Sequence, residues 1–166
     1  MITLYTDRLT IRESSGRDFS RIYAMLLSVN DQPLSGSLAY EVSTDENEEL
    51  EKYLAYIHTV YPVFGIGLCS VVLNETAELI GWCGLQPIGD EDTPMGRIEL
   101  GYLIDAPYRG KGYAYEACRA ILAFAFEKLE LDCVYAQIDE NNEASVRLAR
   151  RLGFTPEKGA LWIAVP

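Results

Sequence analysis

Several things are scarce in this chain, and each scarcity closes a route. There is one histidine, His58, and the four cysteines, Cys69, Cys83, Cys118 and Cys133, form no C-x-x-C pair. Structural zinc sites draw four ligands from His and Cys at short characteristic spacings, so no metal centre is expected. Each cysteine stands in an apolar segment and is expected to pack as a small hydrophobe. No apolar run reaches the roughly 18 residues that mark a membrane-spanning helix, so no membrane association is expected. Residues 1–8 lack the basic start and long apolar core of a signal peptide, which makes the cytoplasm the expected compartment. Cations are scarce too: 14 Lys and Arg face 25 Asp and Glu, a net charge of −11. That balance excludes the basic face of a nucleic-acid binder. It leaves two readings, solubility or attraction of a cationic partner. Internal repeats and low-complexity linkers are absent, so residues 1–166 are expected to form a single domain.

What is present is a full complement of core residues, 49% hydrophobic, with 23% charged. Residues 7–13 alternate polar and apolar, as a strand does. Over 15–29, Phe19, Ile22, Tyr23, Leu26 and Leu27 recur at helical spacing, with Ser15 as cap and Asp18 three residues on. Residues 30–44 carry Pro33, Gly36 and several serines and read as loop or broken helix. A second helix over 46–60 has an acidic first turn that suits the helix dipole. Residues 65–73 and 79–87 read as antiparallel strands joined by the turn 74–76. An acidic loop at 89–96 leads to a strand over 97–104. A helix over 112–129, a strand over 133–138, a helix over 142–152 and a short hairpin over 154–166 complete the order. This is mixed α/β, with a central sheet whose early half is antiparallel.

One segment carries chemistry. Arg109-Gly110-Lys111-Gly112-Tyr113-Ala114 follows a strand and opens a helix, and it is locally basic in an acidic chain. Gly110 and Gly112 permit φ > 0 and close approach of backbone to a ligand. Several N–H groups can then converge on one anion at a helix N-terminus, with Arg109 and Lys111 adding charge. An ordinary turn with solvated cations is the competing account. The G-x-x-x-x-G-K-[ST] spacing of a nucleotide P-loop is absent.

The string Arg109 to Ala114 resembles the Q/R-x-x-G-x-G/A motif of the GNAT superfamily of acyl-CoA-dependent N-acetyltransferases. Glu99-Leu100-Gly101-Tyr102-Leu103-Ile104 is similar to that family's central strand. Asn142, Ser145 and Arg151-Leu152-Gly153-Phe154 resemble its asparagine, serine and L-G-F signature. Thr6-Asp7-Arg8-Leu9-Thr10-Ile11-Arg12 is similar to the first strand of the branch that acetylates ribosomal-protein N-termini (RimJ/RimL-type). The resemblance spans nearly the whole chain and is strongest over 97–154.

The resemblance implies a mostly antiparallel sheet flanked by helices, with a V-shaped splay between the strands at 97–104 and 133–138. Acetyl-CoA would lie in that splay, with no metal. Its pyrophosphate would sit on the backbone N–H groups of Arg109, Gly110, Lys111, Gly112, Tyr113 and Ala114. Its pantetheine would pair with the backbone near Tyr102, Leu103 and Ile104. Asn142 would reach the cofactor arm, or serve only as a helix cap. Ser145 would sit near the sulfur and help the thiolate leave, or stand only in the first helical turn.

An amine must lose a proton to attack, and a strand shares one face among Glu99, Gly101, Leu103 and Asp105. Glu99, half-buried beside Gly101, is the candidate base; the competing account ties it to a backbone or arginine partner. Asp105 reads as a turn residue. The loop 31–44 with Tyr40 and Glu41 is a candidate acceptor wall, and Glu41, Asp45 and Glu46 a candidate attraction for a cationic amine, or a solvated acidic loop. Three functions compete: acetylation of a protein or peptide N-terminus by direct transfer in a ternary complex, acetylation of a polyamine or other small cationic amine, and acyl-CoA binding without turnover. A monomer and a homodimer paired through an edge strand at 7–13 or the terminal hairpin both stand.

Overall fold

The computed structural model describes residues 2–29, 42–89 and 96–166. It opens with a hairpin, β1 (Thr3–Tyr5) against β2 (Leu9–Arg12). The alternation read over 7–13 is present, with Leu9 and Ile11 fully buried. The strand before it is an addition: Thr3, Leu4 and Tyr5 pair with Arg12, Ile11 and Thr10. That pairing puts β1 at the sheet edge and leaves β2 flanked on both sides by β1 and β3 (Leu68–Leu73). Edge pairing of 7–13 across a dimer is therefore closed off.

The first helix begins later than the sequence implies. Gly16–Asp18 forms a single 3-10 turn before α1 (Phe19–Ser28). The Ser15 N–H donates to the Asp18 carboxylate at 2.8 Å, the reciprocal half of a capping box. The next helix, α2 (Glu46–Phe64), runs beyond residue 60 and through Pro62. It forgoes the bond Pro62 cannot donate, and the Gly65 N–H to the Tyr61 carbonyl at 2.9 Å closes its end. Asp45 caps its start by accepting from the Asn47 and Glu48 N–H groups.

β3 pairs antiparallel with β4 (Leu79–Ile88), and β4 with β5 (Arg97–Ile104). α3 (Tyr113–Glu127), β6 (Val134–Gln137), α4 (Glu143–Arg151) and the hairpin of β7 (Thr155–Lys158) with β8 (Leu161–Ala164) follow. The eight-stranded sheet runs β1-β2-β3-β4-β5-β6-β8-β7. β8 inserts beside β6 because its alternating residues bury Trp162 and Ala164, while every residue of β7 is exposed.

Helices cover both faces. On one, α1 and α2 pack Phe19, Ile22, Tyr53 and Ile57 against Leu68, Trp82 and Leu103. On the other, Cys118, Ile121 and Ala125 of α3 pack against Ile11, Cys83 and Leu100. Cys69, Cys83 and Cys118 are buried free thiols, and burial pushes the Cys69 thiol up to about 12. Cys133 is partly exposed, unlike the other three, because it precedes β6 rather than lying inside an element. Among the described residues no helix is long and apolar enough to cross a membrane.

Candidate active site

The site begins where the sheet fails to close. β5 is paired with β4 along its whole length, from Gly81 opposite Ile104 to Ile88 opposite Arg97. Its other edge meets β6 in parallel at one position, Glu99 opposite Tyr135. Beyond that bridge the two strands diverge. From Gly101 onward, the β5 edge facing β6 has no ladder partner among the described residues. This is the splay expected between 97–104 and 133–138.

Glu99 sits at its apex. The side chain is 2% exposed, so it is fully buried rather than half-buried as the sequence reading held. Its Oε1 accepts from the Gln137 N–H at 3.1 Å, across the point where the strands separate. The carboxylate thus takes the place of a carbonyl in the interrupted ladder. The structure therefore gives Glu99 the backbone partner that the competing reading allowed, and leaves it lining a small cavity with Tyr102, Asn142 and Ser145.

The glycine-rich loop lies at the far end of β5. Asp105 accepts from the Ala106 N–H at 2.8 Å and also binds Arg21, which makes it the turn residue the sequence implied. Gly110 (φ 75°) and Gly112 (φ 84°) adopt left-handed conformations that side chains resist. A Cβ at Gly110 would meet nothing within 4 Å, so the glycine answers to backbone conformation and not to crowding. The first bond of α3 runs from the Glu116 N–H to the Gly112 carbonyl at 3.1 Å, so the N–H groups before it have no partner within the helix. Those N–H groups, at the positive end of the helix dipole, fit an anion such as a pyrophosphate. Arg109 is partly committed, because its Nε donates to the Ile104 carbonyl at 2.8 Å.

A support for this loop escaped the sequence reading. Arg8 donates to the Lys111 carbonyl at 3.0 Å, pairs with Glu116 at 2.6 Å, and lies 4.5 Å over the Tyr113 ring. Burial opposes the Glu116 charge, but hydrogen bonds from Thr6 and Arg8 outweigh it and hold its pKa below the ordinary value. The N-terminal hairpin is thus fastened to the loop. The only trace in the sequence was the resemblance of residues 6–12 to a known first strand.

Asn142 caps α4, accepting from the Ser145 N–H at 3.1 Å. That places Ser145 in the first turn of α4. Its hydroxyl lies 2.7 Å from the Tyr102 hydroxyl, a pairing that sequence spacing does not reveal. Burial, partly offset by that hydrogen bond, pushes the Tyr102 phenol up to about 12, so it stays protonated near neutral pH.

The structure gathers most of the expected residues. Tyr102, Leu103, Ile104, Arg109, Gly110, Gly112, Tyr113, Ala114, Asn142 and Ser145 line one groove of about 460 Å³. Lys111 is not among the residues lining it, although its Nζ lies 5.3 Å from the ring centre of Tyr108, which is one of them. Tyr40 and Glu41 lie outside the described residues. Asp45 is occupied as a helix cap and Glu46 is exposed in the first turn, so neither lines the groove. Among the described residues no cluster of three or more His, Cys, Asp and Glu is placed to hold a metal. A second cavity, lined by aromatic residues of α1, α2 and β4, was not foreseen.

Comparison with known proteins bears on this geometry. Residues 8–155 match the family described as "Acetyltransferase (GNAT) domain". YdaF of Bacillus subtilis (strain 168), provisionally named a ribosomal N-acetyltransferase, is 36% identical over 153 residues, 91% of this chain and 80% of that protein. The spermine/spermidine N(1)-acetyltransferase of the same strain is 36% identical over 87 residues, 51% of this chain and 57% of that protein. The crystal structure of an acetyltransferase from Agrobacterium tumefaciens superposes with a TM-score of 0.78 at 27% identity, covering 100% of this chain and 95% of that one.

Proposed function

Because the chain belongs to the GNAT acetyltransferase family, we propose that it transfers the acetyl group of acetyl-CoA directly to the α-amine of a peptide or protein N-terminus within a ternary complex. The observation that carries this reading is the splay. An unpartnered β5 edge and a hydroxyl pair line one groove, and a buried carboxylate at the apex lines a small cavity that shares Tyr102, Asn142 and Ser145 with it. The loop before α3 supplies N–H groups for the pyrophosphate, and Asn142 borders the path of the cofactor arm.

The chemistry divides among named groups. An α-amine has a pKa of roughly 7.7–8.0, so it needs little help to reach its neutral form. Glu99 takes the proton that the amine sheds as its nitrogen bonds to the acetyl carbon, directly or through a water. N–H groups of the free β5 edge near Leu103 donate to the acetyl oxygen as it gains charge. Ser145 donates a hydrogen bond to the departing sulfur as the C–S bond breaks, so that the sulfur leaves as a thiolate carrying the bond's electron pair, and Tyr102 holds that hydroxyl in place. Acetyl-CoA itself supplies the activated thioester.

The likeness to YdaF across most of the chain favours a protein N-terminus. The net charge of −11 and the likeness to a spermine/spermidine acetyltransferase favour a polyamine, and the likeness covers only half the chain. Incubation with acetyl-CoA and either short peptides or spermidine, read by mass spectrometry, separates them. Acetylated peptide α-amines are the expected product. Acetylated spermidine with unmodified peptides would replace the proposal with the polyamine reading. Acetyl-CoA binding with no product from any amine would favour binding without turnover.

A further inference from the structure

The second cavity has a composition of its own. It encloses about 310 Å³ between α1, α2 and the sheet, at the lower end of the range of small-molecule sites, about 300–1,000 Å³. Phe19, Tyr53, Tyr56 and Trp82 form its aromatic walls, with Tyr53 and Tyr56 rings 6.3 and 5.8 Å from that of Trp82. The polar ends of these rings are engaged elsewhere. The Tyr53 hydroxyl donates to the Ser15 carbonyl at 2.9 Å, the Trp82 indole to the Leu68 carbonyl at 2.6 Å, and the Tyr56 hydroxyl accepts from the Leu68 N–H at 2.8 Å. What remains toward the cavity is carbon.

Two polar side chains line it besides Lys52. Glu49 is 3% exposed, accepts from the Ser43 N–H at 3.0 Å and lies 3.7 Å from Lys52 Nζ. Its charge is therefore already countered, which a site for a polycation would not do. Gln86 is 8% exposed, and its Nε2 is a buried side-chain donor with no hydrogen-bond partner among the described residues. A buried donor left unpaired is destabilising, so this one calls for an acceptor oxygen from outside the chain. Gln86 also stands directly opposite Glu99 across the β4–β5 ladder. Opposed side chains on one sheet face lie about 5 Å apart.

We propose that this cavity receives the first side chain of the acceptor, and that the acceptor is an α-amino acyl compound, a peptide or amino acid derivative, whose first residue is bulky and apolar. The inference rests on the peptide reading above and narrows it. The apolar side chain enters among the aromatic rings. The carbonyl next to the amine accepts from Gln86 Nε2. The amine, one carbon away from that carbonyl, faces Glu99. A spermidine chain offers no carbonyl to Gln86 and no apolar branch for the cavity.

The test is steady-state kinetics with acetyl-CoA and peptides that differ only in their first residue: Phe, Leu, Ala and Ser. Phe-first and Leu-first peptides are expected to exceed Ala-first and Ser-first ones by at least tenfold in kcat/KM, since even one methylene in an apolar pocket discriminates by about 10–200-fold. Gln86→Leu removes the donor and keeps the bulk. It is expected to cost a Phe-first peptide at least tenfold more of its kcat/KM than it costs phenethylamine, which has the ring and amine but no carbonyl. It is also expected to keep or raise Tm, because an unpaired buried amide is exchanged for an apolar group. Peptide acetylation with no preference for a bulky first residue overturns this inference and leaves the peptide reading standing. Turnover of spermidine alone overturns both. An equal loss with peptide and phenethylamine removes the assigned role of Gln86.

Discussion

The two edges of strand β5 behave in opposite ways. Toward β4 it is bonded along eight consecutive positions, and toward β6 at one. The β4 side makes a rigid ladder; the β6 side makes an opening. Backbone groups that the ladder would have consumed become available to a ligand, and a buried carboxylate stands where the ladder stops. A similar contrast holds between two cavities on either side of the strand pair β4–β5 and its opening. The groove of the splay is lined by the glycine-rich loop, Ser145 and the cations Arg109, Arg147 and Arg151, the cavity under α1 and α2 mainly by aromatic carbon. One suits a polar, phosphate-bearing donor and the other an apolar acceptor.

The sharpest way to break this contrast is at the apex. Glu99→Gln keeps an oxygen to accept from the Gln137 N–H but cannot take up a proton. It is expected to lower kcat by about 10²–10⁴ with little change in KM for acetyl-CoA. Unchanged turnover across pH would reduce Glu99 to a bracket for β6. Next in size, Ser145→Ala removes the hydroxyl nearest the expected sulfur and is expected to cost about 10² in kcat. A result within twofold of wild type would confine Ser145 to the first turn of α4.

Tyr102→Phe tests a smaller, indirect effect. It deletes the partner of Ser145, and an ordinary hydrogen bond contributes about 0.5–1.5 kcal/mol, so a loss in kcat of about 2- to 12-fold is expected. If Tyr102 acts through Ser145, the double variant with Ser145→Ala loses no more than Ser145→Ala alone. Additive losses would give Tyr102 an independent role.

The smallest effect is on the acceptor face and concerns stability. Burial works against the Asp18 carboxylate, but hydrogen bonds from Arg12 and Ser15 outweigh it and hold its pKa below the ordinary value. A carboxylate lowered in this way adds stability above its unfolded pKa, about 3.9, and that stability is lost as pH falls through the lower folded value. Asp18→Asn is expected to drop Tm by roughly 2–4 °C at neutral pH. The gap to wild type is expected to close only below about pH 4. A gap independent of pH would point to lost packing instead of lost charge.

The glycine-rich loop and the strand before it were legible in the sequence because local geometry writes them there. Gly110 and Gly112 mark left-handed backbone, Asn142 marks a helix start, and strand 97–104 carries clean bounds, all within short stretches. The overrun of α2 through Pro62 was not legible, since a proline normally ends a helix and only the finished structure shows one forgone bond accepted. β1 was missed because three residues with one partly buried side chain carry too little pattern. The aromatic cavity under α1 and α2 was invisible for a different reason. Phe19, Tyr53 and Trp82 read as core in any sequence, and only folding shows that they enclose space instead of filling it. Gln86 gave no signal, because an amide in a strand counts as a polar face until its neighbours are known.

The central claim is that the free amides before α3 hold the donor's pyrophosphate at the end of the opened strand. Titration calorimetry of acetyl-CoA into wild-type protein and an Arg109→Glu, Gly112→Asp variant tests it most directly, with the fold of each checked by circular dichroism. The account predicts saturable one-to-one binding by the wild type and none by the folded variant. Undiminished binding by the variant, or no binding by folded wild-type protein, would contradict it.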